Sequence, residues 1–507
     1  MVWSLTKNEI RLQYSGFVIF TAKLLSVATG LTFQYMIARL TNQEEYGIWF
    51  NVSDVLSYFT ILAGIMPFWA MRFVARNEKG AAKTGVVTNL AISLAATLIY
   101  LSLAPLITSA LHVQEKYVMV YLIISAQIIE LHLLSAFEAN LRAKKPQTLG
   151  YGIIIAEILK VLFGFVLIFG RILSPLEGAV VSLTLAIAAQ IIYYLKLHVE
   201  DLRQSVNWTY VKEWAKGSVA NIYNALGNQI AAFIFIMLFK YGGEAARGNY
   251  GAAFQIANII TYSSFLAFAL YPKLLAEKSG SDITTSIKTV LMFAIPMTAG
   301  VLTLPDLYLT ILNVEYKAAW LVLMVLSLDS FVATVSALYS FVLFGFERLD
   351  EEARISFGEL VKSRLFTVFS LPYIHSAITI PLTYYVLTFY TLDPTQSALA
   401  VAVINSAARF AMFLILYVMV CRMAKIIVPW RNIVKYVFAS VIMASVLRCV
   451  TKLPQFPETP KVHQILGLTA FGGLLYIAVI VLIDMDARML VRSIWPEVKP
   501  KLRQKLG

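Results

Sequence analysis

Apolar runs long enough to cross a bilayer follow one another along almost the whole of this 507-residue chain, and they constrain its fold more than any motif does. A hydrocarbon core about 30 Å thick takes about 20 apolar residues per helical crossing. Such runs fall at 14–37, 46–71, 84–110, 117–140, 148–170, 177–198, 214–240, 248–272, 284–312, 317–346, 363–391, 395–424, 433–450 and 464–484. Backbone polar groups find no water inside lipid, so spans of this length must be helices whose hydrogen bonds close within each segment. The expectation is an all-α polytopic membrane protein of about 14 transmembrane helices. A composition 59% hydrophobic and 14% charged agrees with it and excludes a soluble enzyme.

The net charge of +13 raises the question of nucleic acid. With the N-terminus placed inside, most of the 42 Lys and Arg residues fall in cytoplasmic segments, and the outer loops hold basic and acidic residues in equal number. The positive-inside rule therefore accounts for the excess without a nucleic-acid partner. It sets both termini in the cytoplasm of a multi-pass plasma-membrane protein. The polar stretch before a full-length first span predicts a retained helix, not a cleaved signal peptide. Cys421 and Cys449 fall near opposite ends of successive spans, which argues against a disulfide, and neither has metal-ligand spacing. Walker A, His–Cys cluster and nucleophile-elbow patterns are missing from the sequence, so no metal, cofactor or enzymatic activity is expected.

An internal repeat organises the spans. YGIWFNVSDVLSY, residues 46–58, aligns without gaps to YGAAFQIANIITY, residues 250–262, and a proline follows each copy, Pro67 and Pro272. Polar positions are repeated as well as apolar ones: Asn51 with Gln255, Asp54 with Asn258, Ser57 with Thr261. Segments 2 and 8 are counterparts six spans apart, which predicts two parallel six-helix lobes, 1–198 and 199–424, around a central cavity. Residues 425–507 then hold two extra helices and a basic cytoplasmic tail.

In repeat-built transporters the substrate site lies between the halves near the midplane. Helical spacing puts Lys23, Ser26 and Gln34 on one face of segment 1, and Asn221, Asn224 and Asn228 on one face of segment 7. Segments 2 and 8 repeat the pattern with Asn51, Asp54 and Tyr58, then Gln255, Asn258 and Tyr262. Each stripe alone could be polar glue between helices. Four stripes in corresponding places favour a hydrated cavity, with the two tyrosines positioned to pack on a sugar.

The stretch IARLTNQEEYGIWFNVSDVL, residues 37–56, resembles the first-loop signature of the polysaccharide exporter and lipid-linked oligosaccharide flippase family. That family is a branch of the multidrug/oligosaccharidyl-lipid/polysaccharide (MOP, MATE-like) transporter superfamily. GNYGAAFQIANIITYSSFLAFALYPKLLAE, residues 248–277, is similar to its segment 8, and RAKKPQTLGYGIIIAEILK, residues 142–160, to its turn between helices 4 and 5. The resemblance implies two lobes that move isoprenoid-linked sugars from the cytoplasmic to the outer leaflet by alternating access. It also implies polysaccharide or glycoprotein assembly enzymes as partners.

On that reading the intramembrane charges acquire tasks. Lys23, costly at the centre of a helix, could hold the pyrophosphate of an isoprenoid carrier, with Arg409 on segment 12 doing so from the other lobe. The alternatives are ion pairs of Lys23 with Asp54 and of Arg409 with Asp329. Glu157 and Lys160, three residues apart, should neutralise each other. Asp54, Glu130 and Asp329 are candidates for ion coupling, and His132 and His375 for a proton relay. Counted by type, the membrane interior is slightly acidic, so composition does not prescribe an anionic substrate. A proton- or sodium-coupled multidrug or small-cation antiporter of the same superfamily is therefore the rival expectation, with Asp54 in its favour and Lys23 against it.

Overall fold

The computed structural model describes residues 7–267, 280–346, 364–423, 428–457 and 460–489, with side chains of the first helix described at 18, 19, 22, 23 and from 25 onward. Pro272 and the basic tail after residue 489 lie outside the described residues. The described chain is helical, without strands. Its first half runs α1 (Lys7–Leu40), α2 (Gln43–Phe59), α3 (Ile65–Ala75), α4 (Ala81–Ala110), α5 (Glu115–Ile123), α6 (Ala126–Lys144), α7 (Gln147–Gly164), α8 (Pro175–Leu197), α9 (Val199–Leu202), α10 (Trp208–Gly217), α11 (Val219–Ala231), α12 (Phe233–Gly242) and α13 (Glu244–Ala257). A 3₁₀ segment, Asn258–Ala267, follows α13. The rest is α14 (Gly280–Thr303), α15 (Pro305–Leu312), α16 (Trp320–Phe346), α17 (Arg364–Phe389), α18 (Pro394–Met423), α19 (Trp430–Thr451) and α20 (Val462–Ile483).

Among the described residues, ten helices are long and apolar enough to cross a membrane, and they coincide with ten of the expected segments. Of the other four, segments 1 and 11 are single helices and segments 2 and 8 are broken. Segment 1 is α1, 34 residues long. Segment 11 is α17, which carries Pro372 and Pro381.

Segment 2 is not one continuous helix. α2 starts on a capping box, in which the Asn42 side chain accepts from the Glu45 amide at 2.8 Å and the Glu45 carboxylate accepts from the Asn42 amide at 3.2 Å. It stops at Phe59, residues 60–64 form turns, and α3 restarts with Pro67 in its first turn. One carbonyl freed by the break is that of Ala63, which accepts from Asn89 Nδ2 at 2.9 Å. Side-chain donors of this kind make broken helices tolerable inside a bilayer.

Segment 8 also leaves the α-helix, at Asn258. There the hydroxyls of Thr261, Ser263 and Ser264 donate to carbonyls three residues back, at 2.6, 2.7 and 2.7 Å. Both copies of the repeat are thus discontinuous: the first just after the shared stretch, the second within it. Hydropathy sees neither break, because the Ile, Leu, Ala and Phe residues within and around each one keep the average high.

The chain packs as two units, residues 1–251 with 349–401, and residues 252–348 with 402–507. In the first, α7 packs on α1 and α8, α6 on α3, α4 and α8, and α17 on α11 and α12. In the second, α14 packs on α19 and on the 3₁₀ segment, α16 on the same segment, and α19 on α20. These units cut the chain at other places than the repeat does. Cys421 and Cys449 are both free thiols.

Candidate functional site

In the first unit α2 is the hub to which the polar residues of other helices attach. Its Asp54 does not pair with Lys23. Both carboxylate oxygens instead accept from Arg247 on α13, from Nε at 2.7 Å and from Nη2 at 2.9 Å. Arg247 is only 6% exposed, and its guanidinium carbon lies 4.8 Å from the Phe50 ring centre and 5.0 Å from that of Phe235. Two parallel hydrogen bonds and two aromatic faces fix this cation. The helices meet at their backbones beside the pair: a Cβ on Gly47 would run into the Glu244 carbonyl, and one on Gly248 into the Gln43 carbonyl. Small residues that let helix backbones touch are a recurrent device in membranes.

The remaining stripe of α2 is also partnered. Asn51 is fully buried and accepts from the Tyr121 hydroxyl at 2.5 Å. The Tyr58 hydroxyl donates to the Gln229 carbonyl at 3.2 Å, while Gln229 Nε2 donates to Ser57 at 2.6 Å, so α2 and α11 are joined. On α11, Asn228 is exposed and turns its amide back to the Asn224 carbonyl at 2.8 Å. Asn221 and Asn224 are half-buried.

On α1 the stripe divides. Ser26 donates to Glu157 on α7 at 2.9 Å, Thr29 donates to the same carboxylate, and Lys160 closes on it at 2.5 Å. Gln34 accepts from the Tyr46 hydroxyl at 2.9 Å. Lys23, one turn before Ser26, is exposed and makes no contact ion pair among the described residues, although Glu138 lies within its electrostatic reach. Elsewhere in this unit, Glu130 keeps one carboxylate oxygen buried without a hydrogen-bond partner. His132 is fully buried and bonds the Ile128 carbonyl through Nδ1 at 2.8 Å.

In the second unit Arg409 on α18 reaches Asp329 on α16 at 2.9 Å. Their exposures are unequal: the arginine side chain is 39% exposed, the aspartate 5%. Gln255, Asn258 and Tyr262 are half-buried, and Asn258 is occupied in part by the Thr261 hydroxyl, at 3.0 Å from its Oδ1. His375, on α17 of the first unit, is buried.

The second unit also holds an apolar cavity of about 270 Å³, lined by Ile256 and Ile260 before and within the 3₁₀ segment, Phe293 and Pro296 of α14, Met443 of α19 and Tyr476 of α20. Apolar walls of this kind take hydrocarbon and exclude a charged head.

Sequence reasoning missed Arg247, Gln229, Thr29 and Tyr121. Arg247 falls in a short stretch between spans and counts there as an ordinary outer-loop cation. The signal that could have found it is Asp54 itself, because a carboxylate inside a span needs a cation from a neighbouring helix end.

No family model and no curated protein matches this sequence. Solved structures do match by fold. The lipid II flippase MurJ in an inward closed conformation is similar over 94% of this chain and 100% of that one, with a TM-score of 0.60 at 16% identity. An inward-facing multidrug resistance MATE family transporter of the MOP superfamily is similar over 78% of this chain and 95% of that one, with a TM-score of 0.59 at 14% identity. A MATE in the straight conformation gives a TM-score of 0.53 at 15% identity. The chain shares its fold with these transporters, on an all-α multi-pass membrane architecture.

Proposed function

We propose that this protein exports isoprenoid-(pyro)phosphate-linked oligosaccharide or polysaccharide precursors from the cytoplasmic to the outer leaflet, by alternating access of two repeat-related lobes. The reading rests on charge left over once the ion pairs are formed. Asp54, Asp329 and Glu157 each contact a cation, whereas Lys23 makes no contact pair and Arg409 keeps part of its guanidinium open. Glu130 and Glu138 also lack contact ion pairs among the described residues but are partly or largely buried, so the charge that stays accessible for a ligand is that of Lys23 and Arg409. A lysine exposed at mid-membrane costs about 2.5–3.5 kcal/mol against lipid, so we place it against a hydrated cavity, where it holds a phosphate as a point charge.

The apolar cavity beside α19 and α20 supports a substrate with a hydrocarbon tail. Asn221, Asn224 and Asn228 of the first unit, and separately Gln255, Asn258 and Tyr262 of the second, are the proposed partners for sugar hydroxyls. Gly47, Gly248 and the Asp54–Arg247 pair hold α2 against α13, the contact that alternating access would loosen. No enzymatic step is assigned, and the cell envelope is the expected setting, with both termini cytoplasmic.

A proton- or sodium-coupled small-cation antiporter is the second reading, and the Glu130 carboxylate, one oxygen of which is buried without a partner, favours it. Reconstitution separates the two. With a fluorescent isoprenyl-pyrophosphate disaccharide in proteoliposomes, the wild type should move the lipid and Lys23→Gln should do so about tenfold more slowly. Proton-driven uptake of a cationic dye without lipid movement would establish the antiporter instead.

A further inference from the structure

A second cavity in the unit of residues 252–348 and 402–507, about 430 Å³, opens where α14, α16 and α19 end or begin. Thr303, Asp306, Lys317, Trp320, Met324 and Arg448 line it. Lys317 makes no contact ion pair among the described residues, and Arg448 spends one N–H on the Thr303 carbonyl at 3.1 Å. Asp306, in the first turn of α15, also lines the cavity and offsets one positive charge, leaving a net positive lining. Two cations therefore face the cavity with donors to spare. Trp320 is 42% exposed beside them.

Cations at helix ends ordinarily snorkel apart into water. Here they converge on one cavity with an indole and a thioether for its apolar side. We infer that this cavity is a binding site for the phosphate-ester headgroup of a lipid: Lys317 and Arg448 hold the phosphate, while Trp320 and Met324 pack on the first carbons of the ester. The transport reading contributes only the assignment of this end to the outer leaflet, and binding itself is independent of it.

The test is native mass spectrometry of the full-length protein in detergent with dioleoyl phosphatidic acid, using dioleoylglycerol as the headless control. The wild type should bind the phosphatidic acid well above the control. Lys317→Gln combined with Arg448→Gln should weaken it about tenfold, and Lys317→Gln alone, which leaves the Arg448–Thr303 bond in place, about threefold. Displacement by inorganic phosphate would show that the phosphate alone is recognised; retention of the lipid in its presence would show that the ester and its chain are needed, and both support the site. Equal binding of the control, or binding unchanged by both variants, would overturn it. Failure of glycan-lipid transport would leave this result standing and remove only the export reading.

Discussion

The ion pairs Asp54–Arg247 and Asp329–Arg409 join the same two residue types, one in each packing unit, yet they are built to opposite ends. Arg247 is buried, bonded twice and stacked on two rings, so its charge is consumed. Arg409 makes one contact to a buried aspartate and leaves much of its side chain exposed. The first pair is suited to holding helices together and the second to meeting a ligand. Residue type and membrane depth alone do not separate these tasks; the donors that remain do.

The sharpest way to break the comparison is at the closed pair. Asp54→Asn leaves Arg247 buried without its anion, and should cost about 3–5 kcal/mol, seen as a large fall in melting temperature in detergent. Asp54→Leu combined with Arg247→Met should recover most of that loss, because removing both charges leaves none uncompensated. If the single variant melts like the wild type, the pair is not the lock described here.

Arg409→Gln should be milder, about 1–2 kcal/mol, since Asp329 loses one partner at a half-open site. Its signature is a fall in transport larger than the fall in stability explains, measured on vesicles matched for folded protein. Lys23→Gln should move stability by only about 0.5 kcal/mol, because no contact pair is lost, while slowing transport about tenfold.

The smallest effect concerns pH. His198, just beyond α8, is buried against Phe137 and bonds the Tyr194 carbonyl at 2.8 Å. Burial lowers its pKa from the usual 6.5. The folded state therefore binds its proton less readily than the unfolded one. The stability this contributes is complete above about pH 6.5 and is lost as the pH falls through the lowered folded value. Melting curves from pH 7.5 to 5 should show a decline that His198→Gln flattens; an unchanged slope would exclude this histidine as its source.

Much of the architecture was legible in the sequence, because a bilayer demands continuous apolar length and leaves few alternatives. Glu157–Lys160 was legible too, from helical spacing, and Arg409–Asp329 only as the alternative to an arginine that holds the substrate. The breaks at residues 60–64 and at Asn258 were not, since they depend on side-chain donors such as Asn89 that come from elsewhere in the chain. Lys23 was legible as a charge needing a reason. That Asp54 is already taken by Arg247 is a tertiary fact, and it is what leaves the lysine without a contact pair.

Native mass spectrometry of gently purified wild type and Lys23→Gln tests directly whether that leftover charge holds a ligand. The wild type should carry an isoprenyl-phosphate-linked sugar that the variant has lost. An organic cation bound instead, or the same ligand held equally well by both proteins, would contradict it.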